Sequence, residues 1–143
     1  MYNGWFSFIC ANYVELVLKA GQAEFMNLDN RPPRNAAHKG FWQECDLLDA
    51  PLLKKIITDF SPTHVVHLAA KTGLDEKKLS DFAANMEGVE NMLRVSEKTP
   101  SVERVIFTSS LLVCRMGYVP KHDTDYKPTT LYGQSKVEGE KIV

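Results

Sequence analysis

The stretch THVVHLAA at residues 63–70 is a short and nearly continuous apolar run. Such a run is typical of a strand that is buried on both faces of a parallel sheet. Amphipathic segments flank this run on both sides, so the chain around it alternates strands with helices. That alternation predicts right-handed βαβ units and a doubly wound parallel sheet. The sequence therefore predicts the α/β fold class.

Helix signals stand on both sides of this strand. Before it, Asp49 is a candidate N-cap with Pro51 in the first turn, and Ser61-Pro62 ends the helix. At the start of the chain, one face of a predicted helix that ends at Gly21 carries Tyr13, Leu16, Val17 and Ala20. The other predicted elements are helices at 12–20, 79–98 and from 129, and strands at 23–28, 41–46 and 102–107.

Composition limits the class of protein. The chain has 143 residues, the usual size of one domain, so 1–143 is predicted as a single domain. The 17 Lys and Arg residues and 18 Asp and Glu residues give a net charge of −1, so we expect no nucleic-acid partner. No apolar run reaches the ~20 residues of a membrane span, so we also expect no membrane partner.

Cysteine and histidine usage indicates a reducing compartment and no metal site. The three cysteines Cys10, Cys45 and Cys114 are far apart and form no CxxC pair. His64 and His67 are not accompanied by carboxylates at metal-ligand spacing. A cytoplasmic protein without a metal ion is therefore predicted.

The motif YGQSK at 132–136 carries the sharpest chemical signal. Tyr132 and Lys136 lie four residues apart, on one face of a helix. An ammonium beside a phenol favours the phenolate, so the pair can move a proton to or from a substrate hydroxyl. The alternative is an ordinary solvated helix face. Ser110, at the end of a strand, can hold the same hydroxyl, or it can simply satisfy strand-end backbone groups.

Acidic and small residues follow the other predicted strands, where such folds bind ligands. Asp29, assisted by Asn30, is placed to accept hydrogen bonds from the ribose hydroxyls of a dinucleotide. Arg31 or Arg34 could instead accept a 2′-phosphate, so NAD is favoured and NADP stays open. Further candidate cofactor contacts are Asp46 and Leu47 at the adenine edge, and Leu68, Ala69 and Ala70 where the backbone can approach the cofactor.

Together these motifs resemble the extended short-chain dehydrogenase/reductases of the NAD-dependent epimerase/dehydratase group. The resemblance extends from about Gly4 to the chain end, in the order and approximate spacing of that family. It implies a Rossmann-like NAD(P)-binding domain and a nucleotide-sugar substrate. The residues that carry it are LDN (28–30), CDLLD (45–49), HLAA (67–70), Asn85, FTSS (107–110) and TTLYGQSK (129–136).

The resemblance also implies residue roles. Tyr132 is the acid/base, Lys136 favours its phenolate and holds the nicotinamide ribose, and Ser110 holds the reacting hydroxyl. Asn85 matches the helix asparagine near the active site of this family. The Thr-Asp-Glu of family 4,6-dehydratases is Thr-Ser-Ser at 108–110, which favours an epimerase or a dehydrogenase. Family dimers suggest a homodimer through the helices near Asn85 and Tyr132.

The glycine loop departs from the family pattern. Its three motif glycines fall on Gly4, Ser7 and Cys10, so only the first is retained. The side chain of Ser7 crowds the place where a pyrophosphate meets backbone amides, and that of Cys10 crowds the packing of the strand against the helix. We also expect the first, central strand to be largely missing, with residues 1–8 re-forming a strand or the sheet frayed in its middle. The substrate lobe of the family is expected to be absent.

Two functions of different classes follow. The first is the cofactor half of an NAD-dependent nucleotide-sugar epimerase or dehydrogenase, an oxidoreductase or isomerase that is inactive as this chain alone. The second is a non-catalytic dinucleotide-fold module that binds a cofactor weakly or mediates protein contacts. Tyr132 and Lys136 favour the first function, whereas Ser7 and Cys10 favour the second.

Overall fold

The computed structural model describes residues 8–21, 24–73 and 75–143. Strands and helices alternate along this part of the chain, as the sequence predicts. The α-helices are α1 (Phe8–Ala20), α2 (Ala50–Phe60), α3 (Ala83–Glu97) and α4 (Leu131–Ile142). The strands are β1 (Asn27–Asp29), β2 (Trp42–Glu44), β3 (His64–His67) and β4 (Arg104–Phe107). Short 3-10 helices cover Ala36–Phe41, Leu79–Phe82 and Leu111–Val113.

The strands form two parallel pairs. β1 pairs with β2, with Leu28 opposite Gln43, and β3 pairs with β4, with Val65 opposite Val105. No hydrogen-bonded strand joins β1 to β3 within the described ranges. The prediction of an α/β fold with parallel strands is confirmed. The predicted makeshift first strand at 1–8 falls outside the described residues, except that Phe8 begins α1.

The signals at the ends of α2 act as the sequence predicts. Asp49 Oδ1 accepts a 3.0 Å hydrogen bond from the Leu52 amide, which satisfies an otherwise unpaired donor at the helix start. Pro51 stands in the first turn, where a missing N–H costs nothing. Ser61 ends the helix in the left-handed conformation, with φ at 51°. Both ends of α2 are therefore capped.

The core lies between α2, α3 and the two strand pairs. α2 supplies its apolar stripe and α3 faces it, so the sheet is covered on this side. Burial of this apolar surface is the main stabilising contribution to the fold. The buried cluster consists of Cys45, Leu53, Ile56, Ile57, Val65, Met92 and Val95.

Helix α1 begins earlier than the sequence indicates, and its buried residue is not one of the predicted face residues. It starts at Phe8 rather than at residue 12. The buried residue is Val14, whereas Tyr13 and Leu16 of the predicted face are 44% and 65% exposed. Tyr13 and Val17 of that face nevertheless line a cavity with β1 and β3, together with Val14.

The other boundaries shift by a few residues. All four strands begin later than predicted, β2 and β3 also end earlier, and β1 ends at Asp29, one residue beyond the predicted end. The helix predicted at 79–98 begins as the 3-10 helix Leu79–Phe82 before α3. In the part of the chain that the structure describes, no helix combines the length and the apolar character needed to cross a bilayer.

Candidate functional site

Asp29 is the last residue of β1, at the edge where parallel strands end. Its Oδ1 atom accepts a 3.0 Å hydrogen bond from the Arg31 amide, and its carbonyl oxygen accepts one of 3.1 Å from Trp42 Nε1. Burial raises the pKa of the Asp29 carboxyl, while the Arg31 amide and guanidinium oppose that rise. The half-buried carboxylate is thus held at the carboxyl end of the sheet, where such folds bind ligands.

A cavity of about 470 Å³ opens beside Asp29. It is lined by five of the residues predicted to contact the cofactor: Cys10, Asp29, Leu47, Leu68 and Ala69. The carboxyl ends of β1 and β3 and the start of α1 therefore meet at one site.

Several predicted cofactor residues of the described ranges do not line that cavity. Asp46 Oδ1 accepts a 2.9 Å hydrogen bond from the Leu48 amide, so its carboxylate shapes a local turn. Asn30 is exposed, as are Arg31 and Arg34, and Ala70 is half-buried just beyond the lining residues. Gly4 and Ser7 lie outside the described residues.

Cys10 stands in the first turn of α1. Its Sγ atom lies 3.7 Å from Asn27 Oδ1, on the neighbouring strand. Burial and, to a smaller extent, the Asp29 carboxylate raise the pKa of the thiol. A neutral, half-buried thiol therefore stands at a helix start that otherwise favours an anion.

Lys136 is buried inside the fold, with 1% of its surface exposed. Its Nζ atom donates a 2.6 Å hydrogen bond to the Thr108 carbonyl and lies 4.4 Å from the centre of the Phe107 ring. Burial lowers the pKa of the Lys136 ammonium to about 8, although Glu140 opposes this. The ammonium is therefore fixed at the end of β4 and is close to its titration range at neutral pH.

Ser110 and Tyr132 stand on two elements in direct contact. Ser110 Oγ accepts a 3.2 Å hydrogen bond from the Leu112 amide and so caps the 3-10 helix that follows β4. A Cβ atom on Gly133 would lie only 2.2 Å from the Leu112 carbonyl oxygen. The first turn of α4 thus packs against the turn that Ser110 begins. The two residues, with Lys136 one helical turn farther on, are brought to one end of the sheet.

The hydroxyl cluster after β4 also satisfies backbone and side-chain groups. Thr108 Oγ1 donates a 2.7 Å hydrogen bond to the His67 carbonyl, and Ser109 Oγ donates to a carboxylate oxygen of Glu140. Ser110 Oγ accepts a hydrogen bond from the Leu112 amide. Because a hydroxyl is both donor and acceptor, the hydroxyl hydrogen of Ser110 can still donate a second hydrogen bond. The structural role and the catalytic role of Ser110 are therefore compatible.

Asn85 is fully buried and joins three elements. Its Oδ1 atom accepts a 2.7 Å hydrogen bond from the Lys71 amide, and its Nδ2 atom donates a 2.9 Å hydrogen bond to the Lys71 carbonyl. Nδ2 also donates a 2.9 Å hydrogen bond to Ser135 Oγ. The asparagine thus connects the loop after β3 to α4, beside Lys136. In the structure it is a positioning residue whose polar atoms are all used within the protein.

The motifs FTSS and TTLYGQSK contain Phe107, Thr108 and Ser135, but the sequence did not predict the contacts of these three residues in the site. The carbonyl of Thr108 holds Lys136, and Phe107 lies under the ammonium. Ser135 was signalled only by its place beside Lys136, since its bond to Asn85 spans fifty residues of sequence. Contacts of such range depend on how the helices pack, which no local pattern encodes.

His67 lies below the same ring. It stacks on Phe107 with the ring centres 5.7 Å apart, and burial lowers the pKa of its imidazole to about 4, with Lys136 adding to the effect. The ring is therefore neutral at physiological pH. Across the described ranges, no group of three or more His, Cys, Asp or Glu side chains could hold a metal ion.

A comparison with protein families gives a match over nearly the whole chain. The sequence model of the NAD dependent epimerase/dehydratase family matches residues 4–143. The chain belongs to the NAD-dependent epimerase/dehydratase family. The predicted family resemblance is confirmed.

The sequence is similar to those of epimerases that act on sugar nucleotides and of epimerase/dehydratases. UDP-glucuronate 4-epimerase 6 of Arabidopsis thaliana is 33% identical over 109 residues, which cover 71% of this chain and 24% of that protein. An uncharacterized epimerase/dehydratase of Staphylococcus saprophyticus is 29% identical over 138 residues, or 88% of this chain and 42% of that protein.

Solved structures of the family have the same fold. The enzyme WbmG of Bordetella bronchiseptica, crystallised with NAD and UDP, is 30% identical with a TM-score of 0.75. The match covers 95% of this chain and 46% of that chain. UDP-glucose 4-epimerase of Brucella ovis, crystallised with NAD, is 26% identical with a TM-score of 0.76. That match covers 95% of this chain and 43% of the Brucella chain. This chain therefore spans less than half the length of each of these four relatives.

Proposed function

We propose that this chain supplies the cofactor half of an NAD-dependent nucleotide-sugar epimerase or dehydrogenase. The main support is the position of Lys136, which is buried and held by the Thr108 carbonyl one helical turn from Tyr132. A structural lysine gains little from such burial, because removing an ammonium from water is costly. A buried lysine beside a tyrosine is instead what proton transfer at a substrate hydroxyl requires.

The residues at the carboxyl ends of the strands fit NAD. Asp29 presents a half-buried carboxylate at the end of β1, suited to the hydroxyls of a ribose. Leu68 and Ala69 line the same cavity with small or apolar side chains. NAD is the cofactor of the related WbmG and Brucella enzyme structures. When bound, NAD supplies the hydride acceptor, and the protein supplies orientation and electrostatics.

The proposed acid/base chemistry uses three side chains of this chain. Tyr132 takes the proton of the substrate hydroxyl, and the hydroxyl of Ser110 holds that oxygen in place. Lys136 stabilises the phenolate, since an opposite charge nearby favours the ionised form. Asn85 keeps α4 in position through Ser135. Uridine-diphosphate sugars are the proposed substrate class, since the related proteins include UDP-glucuronate and UDP-glucose 4-epimerases.

A chimeric enzyme tests the proposed catalytic residues. Residues 104–143 replace the matching segment of the Brucella UDP-glucose 4-epimerase, which supplies the substrate half. We expect the chimera to epimerise UDP-glucose, and Tyr132→Phe within it to lower kcat by about 10²-fold or more. Tyr126→Phe, in the loop before α4, is the matched control. A chimera that binds NAD normally but stays inactive would count against the catalytic assignment.

The second candidate function is a module that binds a dinucleotide without chemistry. Cys10 favours it, because its half-buried side chain stands in the first turn of α1, where the family pattern has glycine. The inactive but NAD-binding chimera is the result this alternative predicts for the transplanted segment. The homodimer through α3 and α4 is a further proposal, and sedimentation equilibrium at several protein concentrations tests it.

A further inference from the structure

The end of β4 is bonded to α4 at two successive residues. The Thr108 carbonyl accepts the hydrogen bond from Lys136 Nζ. The next residue, Ser109, donates a hydrogen bond from its Oγ atom to a carboxylate oxygen of Glu140. Lys136 and Glu140 are four residues apart in α4, so they are neighbours on one face of that helix. The two bonds therefore hold the strand end directly before Ser110 against this helix face.

The third turn of α4 is closely packed at the position of Glu140. The preceding residue, Gly139, is buried, and a Cβ atom there would lie 2.9 Å from the Asn85 carbonyl oxygen. The same Cβ atom would lie 3.2 Å from the Phe107 ring. Such distances leave no room for a larger residue without a shift of the helix. The backbone that carries Glu140 is therefore fixed against α3 and the end of β4.

The buried ammonium of Lys136 needs a negative charge nearby, because leaving water is costly for an ion. Burial lowers the pKa of Lys136 to about 8, and the half-buried Glu140 carboxylate opposes that fall. From β3 this region is faced by His67, whose imidazole is neutral at physiological pH. From the loop before α4 it is faced by the phenol of Tyr126, whose pKa a hydrogen bond to Glu140 raises. Tyr132 is the other titratable neighbour on this face of α4.

We propose that Glu140, which Ser109 holds in place, is a positioning residue that supplies the counter-charge of the buried Lys136 ammonium. This role rests on the proposed function, in which a charged Lys136 favours the phenolate of Tyr132. Without a counter-charge, a buried ammonium loses its proton more readily, and an uncharged Lys136 no longer favours the ionised phenol. A purely structural acceptor for the Ser109 hydroxyl would instead be replaced equally well by an uncharged amide.

NMR titration of the full chain, with isotope labels at the ε carbons of lysine, measures the charge of Lys136. Its signal is identified as the one that Lys136→Met removes. In the unmodified chain we expect this signal to titrate with a midpoint at about pH 8. Glu140→Gln keeps an acceptor for the Ser109 hydroxyl and removes the charge, so we expect the midpoint to fall by about 0.5–1 pH unit.

Three further variants separate charge from hydrogen bonding. Glu138→Gln is the matched control, because Glu138 is paired with Lys141 and lies two residues from Lys136, a spacing at which helix side chains do not face each other. It should leave the Lys136 midpoint unchanged. Glu140→Asp keeps the charge and should restore most of the shift. Ser109→Ala, at an exposed residue, frees the carboxylate and should lower the midpoint by a smaller amount, which keeps the test valid even where Glu140→Gln does not fold.

Two results overturn the proposal. One is an equal Lys136 midpoint in the unmodified chain and in folded Glu140→Gln, which means that Glu140 is only a hydrogen-bond acceptor. The other is a fall of the same size in Glu138→Gln, which means a general effect of helix charge. Because the titration uses neither NAD nor substrate, it can fail while the chimeric enzyme is active, and it can succeed while the chimera is inactive. A failure of this proposal is therefore distinct from a failure of the proposed function.

Discussion

The Nζ atom of Lys136 lies 2.6 Å from the carbonyl oxygen of Thr108, the residue whose own hydroxyl bonds the His67 carbonyl. This chain of contacts connects α4 to the ends of β4 and β3. It fixes an ammonium, which burial keeps close to its titration range, beside the residues that follow the strands. The contact between α4 and the end of β4 and the proposed proton transfer thus both depend on the Lys136 side chain.

Lys136→Met separates these two roles. Methionine has a similar length and no charge, so it removes the cost of burying the ammonium, and this gain offsets the loss of the hydrogen bond to the Thr108 carbonyl. We therefore expect an unfolding free energy that is unchanged or raised, together with NAD affinity that falls about tenfold. Urea denaturation and calorimetric titration measure the two effects. Lys141→Met, at an exposed lysine of the same helix, is the control. A large loss of stability would contradict the functional role.

Gly133→Ala tests the contact between α4 and the turn that Ser110 begins. A Cβ atom there would lie 2.2 Å from the Leu112 carbonyl oxygen, which is backbone and cannot move without shifting the turn. We expect a loss of about 1–3 kcal/mol in unfolding free energy, measured by urea denaturation. Gly40→Ala is the matched control, because a Cβ atom there meets nothing within 4 Å. Equal stability of the two variants would refute this packing.

His67 gives the fold a defined response to acid. Its pKa is lowered from 6.5 to about 4 in the folded chain, so the unfolded chain binds more protons between these values. Above pH 6.5, the pKa of the unfolded state, His67 is neutral in both states and the free energy of unfolding does not depend on its titration. As pH falls from about 6.5 towards 4, the free energy of unfolding decreases by up to about 3 kcal/mol.

Urea denaturation across that pH range measures this effect. His67→Gln should flatten the acid limb of the stability curve, whereas His64→Gln, at an exposed position of the same strand, should not. An acid limb that is the same in His67→Gln and in the unmodified chain would show that His67 is not its source.

Asn85 and Ser135 should be energetically coupled. Asn85→Ala leaves the Lys71 amide and carbonyl without their partner in a buried place, which costs about 1–3 kcal/mol per unsatisfied group. Ser135→Ala removes one of the bonds of Asn85. A double-mutant cycle measured by chemical denaturation should give a coupling of about 0.5–3 kcal/mol. Additive effects would indicate that their 2.9 Å contact contributes nothing.

Local signals in the sequence predicted much of the fold. The cap at Asp49 and the stop at Ser61-Pro62 act through neighbours in sequence, so each could be read directly. The apolar run at 63–70 predicts the place of β3 but not its burial, since only Val65 and His67 of that strand are buried. The buried position of α1 could not be read either, because tertiary packing selects Val14, which is not one of the predicted face residues.

The candidate site divides in the same way. Tyr132 and Lys136 share a helix face because of their spacing, and the strand-end positions of Asp29 and Ser110 follow from the alternation of elements. The bonds of Lys136 to Thr108 and of Asn85 to Ser135 span 28 and 50 residues. They arise from the packing of α3 and α4 against the strand ends, which is beyond what local periodicity encodes.

Isothermal titration of the chain with NAD is the sharpest test of the cofactor site. We predict saturable binding that Asp29→Ala weakens about tenfold, through loss of the carboxylate at the end of β1. Asp59→Ala, at an exposed aspartate paired with Lys55, should leave the affinity unchanged. Binding should also stabilise the chain, by ~2.7 kcal/mol when NAD is at about 100 times its Kd. A folded chain that shows neither heat of binding nor stabilisation at millimolar NAD would contradict the assignment of a cofactor site.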